Sequence, residues 1–337
     1  MIRFSISTRK KGLIFIQLKQ KKDITRHYRQ FYTFEGKEWS GYKYQLSIDT
    51  MHILAKLSER DIDYLKSLSD VIPLSYKYQY DYTINLYNVK INLYPRFPSQ
   101  FNACIQVQQT TDTMQYKHFR DILMMLNDDN HIIIRLDLAY DFKCNINNSY
   151  TLARHGLQTR KNFINNNNWV GSMKNHHKTC TSTNYKKSLK LLDREGIHKS
   201  FEYDNRYEVR LFFTADNNMR VNDIDDGLII ERLNKEIFIP DITLLELSDN
   251  YKQLIKLTKQ PNNEYILRHK LTQYQRNKFR KMIKDSPYRA DLSSYYAMNR
   301  DKLFNFYECD VDEILDNDIL LAIAHFESTR AIDELLT

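Results

Sequence analysis

The stretch Ile132 to Phe142, IIIRLDLAYDF, is the densest apolar run in the chain, and it carries two carboxylates, Asp137 and Asp141. An extended backbone sends alternate side chains to opposite faces, so Arg135, Asp137, Ala139 and Asp141 share one face while Ile134, Leu136, Leu138 and Tyr140 share the other. The sequence therefore specifies one strand with a core face and a charged face. Carboxylates buried in a sheet are costly, so the two aspartates call for a cation, a metal ion or water beside them. Pairing of Arg135 with Asp137 is the plain solution, and a metal site is the sharper one.

The remainder of the chain must supply partners for that strand. With 337 residues, 42% of them hydrophobic and 13% aromatic, there is material for one large domain or for a core domain with an appendage. The formal charge of +8 favours a polyanionic partner such as nucleic acid, although ordinary solubility would also account for it. Cys104, Cys144, Cys180 and Cys309 are scattered, with no pair at the spacing of a zinc knuckle or a redox motif, so reduced thiols are expected. The opening stretch has an apolar patch too short for a signal peptide or a membrane span, which leads to an expectation of a cytoplasmic protein without membrane contact.

Along the chain, residues 1–43 alternate short apolar runs with basic ones and form a basic N-terminal segment. YQLSIDTMHIL then predicts a strand, followed by a helix that opens with a cap box at Ser58 and Asp61 and repeats Ile62, Leu65 and Leu68 at helical spacing. Tyr76 to Tyr94 alternates as a β-hairpin with its turn near Asn88, and Phe101 to Gln109 adds a strand. Lys117 to Leu126 is an amphipathic helix with Phe119, Ile122, Leu123 and Leu126 on one side. Phe163 to Ser172 is a loop by composition, while Lys187 to Leu192 and Tyr207 to Phe213 are expected strands. With no GxGxxG and no GKS or GKT, the pattern predicts an α+β fold with a mainly antiparallel sheet and flanking helices, followed by a helical, basic C-terminal region.

Ile266 to Lys284 places an apolar stripe against Arg268, Lys270, Arg276, Lys278, Arg280, Lys281 and Lys284 on a single helix that stops at Asp285, Ser286 and Pro287. Such a helix is either a solvated surface or a phosphate-tracking element. The tail from Asp310 to Thr337 alternates acidic and apolar residues, as packing helices or a partner surface would.

Glu208, on the predicted strand YEVRLFF, is placed to complete a metal site with Asp137 and Asp141, or to form a cross-strand ion pair. His176, His177 and Cys180 look metal-like, but adjacent histidines on a strand point to opposite faces and the set lacks a second half. Among 24 tyrosines, no single one is marked by residue type as a nucleophile.

RLDLAYDF resembles the RLDLAFDF signature of the trans-acting Rep family, the replication initiators of staphylococcal rolling-circle plasmids. LSIDTMHILAKLSERDIDYL, YEVRLF and QYQRNKFRKMIKDSP fall in the order of that family's early strand and helix, later acidic strand and basic C-terminal helix, so the resemblance covers residues 44–290. It implies an α+β core over residues 44–226 and a helical DNA-recognition and packing region over 227–337. It also implies a homodimer on double-stranded origin DNA, contacts with host replication proteins, a divalent ion (Mg2+ or Mn2+) at Asp137, Asp141 and Glu208, and a tyrosine that nicks one strand and stays attached as a 5′-phosphotyrosyl.

The family's tyrosine motif, IRIYNK or IRIYDK, aligns with SLKLLDREG, which puts Leu192 at the nucleophile, and Lys143 replaces the acidic residue after the DF pair. The expectation is therefore a sequence-specific duplex DNA-binding protein of the initiator type with nicking lost. Two alternatives stand beside it: a nicking and joining endonuclease that uses a displaced tyrosine, Tyr185, and a phage structural or interaction protein that reuses the fold.

Overall fold

In the computed structural model, the described residues are 30–33, 41–86, 88–108, 117–127, 129–152, 158–162, 167–171, 180–258, 267 and 269–304. Strands β1 (Gln30–Thr33) and β2 (Lys43–Ala55) precede helix α1 (Glu59–Leu68), and β3 (Val71–Pro73), β4 (Tyr80–Leu86), β5 (Val89–Pro95) and β6 (Ala103–Gln108) follow. Helix α2 (Lys117–Met125) leads to β7 (His131–Phe142), then β8 (Tyr150–Thr151), β9 (Gln158–Asn162), β10 (Asn167–Gly171) and β11 (Cys180–Lys186). Helix α3 (Lys187–Glu195) separates β11 from β12 (Asn205–Phe212). Then come α4 (Asp226–Leu233), β13 (Phe238–Ile239), α5 (Asp249–Thr258), α6 (Gln273–Lys284) and α7 (Leu292–Leu303).

Eleven strands form one sheet in the order β3-β4-β5-β6-β2-β7-β12-β11-β10-β9, with β1 on β2, and every ladder is antiparallel. The fold is thus α+β, with helices flanking a mainly antiparallel sheet. Strand β7 lies between β2 and β12, and its alternation splits the faces as its sequence requires. Leu136, Leu138 and Tyr140 join Leu46, Ile48 and Met51 of β2 and Val209 and Leu211 of β12 in the main core. Helices α1, α2, α4 and α7 contribute to the same core through Ile62, Leu65, Phe119, Ile122, Ile229, Leu292 and Tyr295.

Local signals explain several of these elements. Ser58 and Asp61 exchange the reciprocal hydrogen bonds of a capping box at the start of α1. The β4–β5 hairpin turns at Asn88, with Leu86 paired to Val89. Tertiary contacts then tie the C-terminal helices to the sheet: Tyr140 donates to the Leu292 carbonyl at 2.9 Å, and the Tyr44 ring stacks on Tyr295 at 4.0 Å. A second apolar cluster joins β8 and β13 to α5 and α6 through Tyr150, Ile239, Ile255, Phe279 and Ile283.

Three expectations are corrected. Lys187 to Leu192 is the first part of helix α3, not a strand, and Gly196 closes that helix with a left-handed φ of 68°. Asn167–Gly171, expected as loop, is a strand because it pairs with β9 on one side and β11 on the other. The basic helix is not continuous from Ile266: Thr272 caps a new helix at Gln273, with its side chain accepting from the Gln275 backbone. The tail from Asp310, His176, His177, Arg268 and most of the N-terminal segment lie outside the described residues.

Phe142 is fully buried and its ring lies 5.4 Å from Phe238, with Tyr42 and Tyr44 at 6.1 and 6.2 Å. Phe142→Ala should therefore cost about 3–5 kcal/mol in urea unfolding. A loss below about 1 kcal/mol would contradict this packing.

Candidate active site and nucleic-acid interface

The face of the sheet opposite the main core is charged. On β12, Arg206, Glu208 and Arg210 alternate onto it, opposite Asp141, Ala139 and Asp137 of β7. On β11, Thr183 and Tyr185 stand opposite Glu208 and Arg206. An irregularity in the β2–β7 register, between Ile48 and Thr50, leaves Asp49 as an extra residue on β2, and its carboxylate reaches Arg206 at 2.5 Å. A bulge is a common way to re-aim one side chain beside a functional site.

Each carboxylate on this face has basic partners. Asp137, fully buried, accepts from Arg135 at 2.8 Å and Arg210 at 3.0 Å. Asp141 accepts from Arg206 at 2.6 and 3.0 Å and from Lys187 at 2.8 Å. Glu208 accepts from Arg210 at 3.0 Å, and Lys190 lies 3.8 Å away. Arg135, Lys187, Lys190, Arg206 and Arg210 thus surround Asp49, Asp137, Asp141 and Glu208, with one more positive than negative charge.

Tyr185 sits inside this network, 2% exposed. Its hydroxyl donates to Glu208 at 2.8 Å and receives a hydrogen bond from Lys190 at 2.7 Å. Burial pushes the Tyr185 phenol well above its ordinary pKa; the Arg206 charge opposes that and the Glu208 charge adds to it. The phenol is therefore protonated at neutral pH, with a carboxylate in place to take its proton. Leu192 lies instead on helix α3.

The structure brings together Asp137, Asp141, Glu208 and Tyr185 on one face. It does not arrange the three carboxylates as a metal cage, because guanidinium and ammonium groups fill their coordination directions. Among the described residues, no group of three His, Cys, Asp or Glu converges as metal ligands would. As arranged, this donor set does not fit a divalent ion. Cys180, for its part, is buried near Glu236 at 3.4 Å.

Sequence reasoning missed Arg206, Arg210, Lys187, Lys190 and Asp49. The alternation of Arg206, Glu208 and Arg210 was a usable signal for the first two. Lys187 and Lys190 required α3 to be read as a helix. Asp49 required the bulge.

The basic helix α6 presents Lys278, Lys281 and Lys284 to solvent, and Lys270 just before it is also exposed; Arg276 and Arg280 are half-buried. Tyr274 is 76% exposed beside them, and the Gln273 amide donates to Asn277 at 3.0 Å. The opposite side of the helix anchors Phe279 and Ile283 in the second apolar cluster. Among the described residues, no helix is long and apolar enough to cross a membrane. Compared with protein-family models and with curated proteins, the chain matches neither.

His52, on the charged face of β2, is lowered to about 3 by burial and by the charges of Arg135 and Arg210. The unfolded histidine titrates near 6.5, so between pH 6.5 and about 3 the unfolded chain binds a proton that the folded chain does not. Stability must fall as pH drops through that window. Asp141 acts in the same direction further down: burial raises its carboxyl but Arg206 and Lys187 hold it low, so its contribution is lost as pH falls through the folded value. His52→Gln should make thermal melts less pH-sensitive between pH 7 and roughly 5. Parallel melting profiles for the two proteins would contradict the assignment.

Proposed function

We propose that this protein is a tyrosine-dependent DNA nicking and joining enzyme of the replication-initiator type, with Tyr185 as nucleophile and α6 as its duplex-binding element. One observation carries the reading: the Tyr185 hydroxyl lies between the Glu208 carboxylate and the Lys190 ammonium. A phenol needs a base to become a nucleophile and a cation to offset charge on the phosphoryl group, and these neighbours supply both.

The resemblance to the Rep initiators supports it in corrected form. That family's motif puts its tyrosine on a strand with a lysine two residues on, and here the strand before the acidic strand is β11, which ends in Tyr185 and Lys186 with Lys187 next, Lys186 standing where the motif has Asn or Asp. Leu192 falls on a helix, so the alignment that removed the nucleophile loses its basis.

In the reaction, Tyr185 Oη attacks the phosphorus while its proton passes to Glu208. The new phosphotyrosyl bond forms as the bond to the 3′ oxygen breaks, and solvent protonates that oxygen to leave a free 3′ hydroxyl. One phosphoester replaces another, so the step runs backwards as joining. Arg206 and Lys190 offset the charge of the phosphoryl oxygens. Because Tyr185 is buried in the free protein, the bound strand must displace its cover before attack. Lys270, Arg276, Lys278, Arg280, Lys281 and Lys284 hold duplex phosphates, with a homodimer engaging the site.

The test is to incubate the protein with supercoiled DNA carrying its own upstream region, with Mg2+ or Mn2+ and with neither. Relaxed product and a covalent adduct are expected, and Tyr185→Phe should lower adduct formation at least 100-fold, roughly what loss of the nucleophile implies. If the phenylalanine variant relaxes DNA as fast as the wild type, Tyr185 is not the nucleophile. If neither protein relaxes DNA while both bind it, the protein is a DNA-binding regulator without nicking.

A further inference from the structure

Behind the nucleophile strand, on the core face of the sheet, lies a carboxylate the reaction does not use. Glu236 follows α4 and is 4% exposed. One of its oxygens accepts from Ser182 Oγ at 2.7 Å and from Tyr207 Oη at 2.7 Å, and the other lies 3.4 Å from Cys180 Sγ. Tyr207 Oη also lies 2.9 Å from Ser182 Oγ, and its ring stacks on Phe238 at 4.1 Å. The Glu236 main chain is fixed in turn, because Arg289 donates to its carbonyl and to that of Asn234 at 2.9 Å each.

The register shows what this cluster spans. Ser182 is on β11 and Tyr207 on β12, and the pairs Ser182 with Val209 and Asn184 with Tyr207 make them diagonal neighbours. On the charged face of the same two strands, Thr183 faces Glu208 and Tyr185 faces Arg206, so the Tyr185 to Glu208 hydrogen bond runs along the opposite diagonal. Ser182 precedes Tyr185 by one strand repeat and a half, and Tyr207 immediately precedes Glu208. A carboxylate bonded to both strands from behind therefore fixes how the two groups in front meet.

Resting on the reading of Tyr185 as nucleophile, we infer that Glu236 is a positioning residue: it locks β11 against β12 so that the Tyr185 hydroxyl stays on Glu208. A buried carboxylate is an expensive strand tie, since its desolvation must be offset by every donor around it. An apolar residue would have filled the space without that cost. What the carboxylate adds is direction, because both hydroxyls must aim their O–H bonds at the same oxygen.

The experiment uses the full chain with tyrosines labelled at the ring carbon bearing the hydroxyl, the Tyr185 resonance being assigned with Tyr185→Phe. Glu236→Ala should shift or broaden the Tyr185 signal. It should also lower the nicking kcat by roughly 10- to 100-fold with KM for DNA unchanged, because a misplacement near 1 Å can cost about that much. Glu236→Gln should restore most of both, since its amide oxygen can accept from both hydroxyls with the NH2 group turned toward Cys180. Melting curves establish that each variant is folded at the assay temperature. Should Glu236→Ala fail to fold, Tyr207→Phe removes one tie and keeps the ring, and it should move the same signal less. An unchanged Tyr185 resonance in the folded variants, or a full nicking rate, overturns the inference. If the wild type forms no adduct, the nicking reading fails, and the resonance alone decides whether Glu236 positions Tyr185.

Discussion

Arg206 is the residue on which the charged face depends. The residue is 9% exposed, and its guanidinium bonds Asp141 with two nitrogens and Asp49 with the third. Burial alone would lower its pKa, but the Asp141 charge, with smaller help from Asp49, holds it well above the ordinary value. Replacing such a pair with apolar residues is often neutral, yet removing one partner alone costs about 3–5 kcal/mol because the other charge is stranded. The interaction also spans three neighbouring strands, β2, β7 and β12, and so sets how they align at the point where Tyr185 approaches.

From that constraint the chemistry follows by position. Asp141 and Asp137 hold the guanidinium groups in place, Glu208 is left with one oxygen toward Arg210 and one toward Tyr185, and α3 delivers Lys187 and Lys190 over the strand ends. The aspartates of β7 thus act as ion-pair partners that build the site, while under the proposed function Glu208 and Tyr185 would be its reacting pair. The basic helix α6 lies in a second apolar cluster built with α5, β8 and β13. Under the proposed function, recognition of DNA and its cleavage would accordingly fall to different parts of the molecule.

Features fixed within a few residues were legible in the sequence. The alternation of β7, the cap box at Ser58 and Asp61, the turn near Asn88 and the pairing of Arg135 with Asp137 were all readable without tertiary information. KSLKLLDRE was not, because its leucines satisfy a strand period and a helix period equally over so short a run. Its lysines, leucines and glutamate favour helix, and the following glycine is the usual helix terminator, so the deciding signal lies in composition and in Gly196, not in periodicity. The asparagine run before Trp169 hid β10 behind a loop-like composition. The Asp49 bulge depends on β2 meeting β7, and no local pattern could have exposed it.

The central claim, that Tyr185 attacks the DNA backbone, is tested most directly by mapping the covalent adduct. Protein reacted with nickable DNA would be digested with nuclease and protease, and the phosphonucleotide-bearing peptide sequenced by mass spectrometry. The account predicts the modification on Tyr185, in the peptide that joins β11 to α3. A modification on any other tyrosine, or on serine, would contradict it.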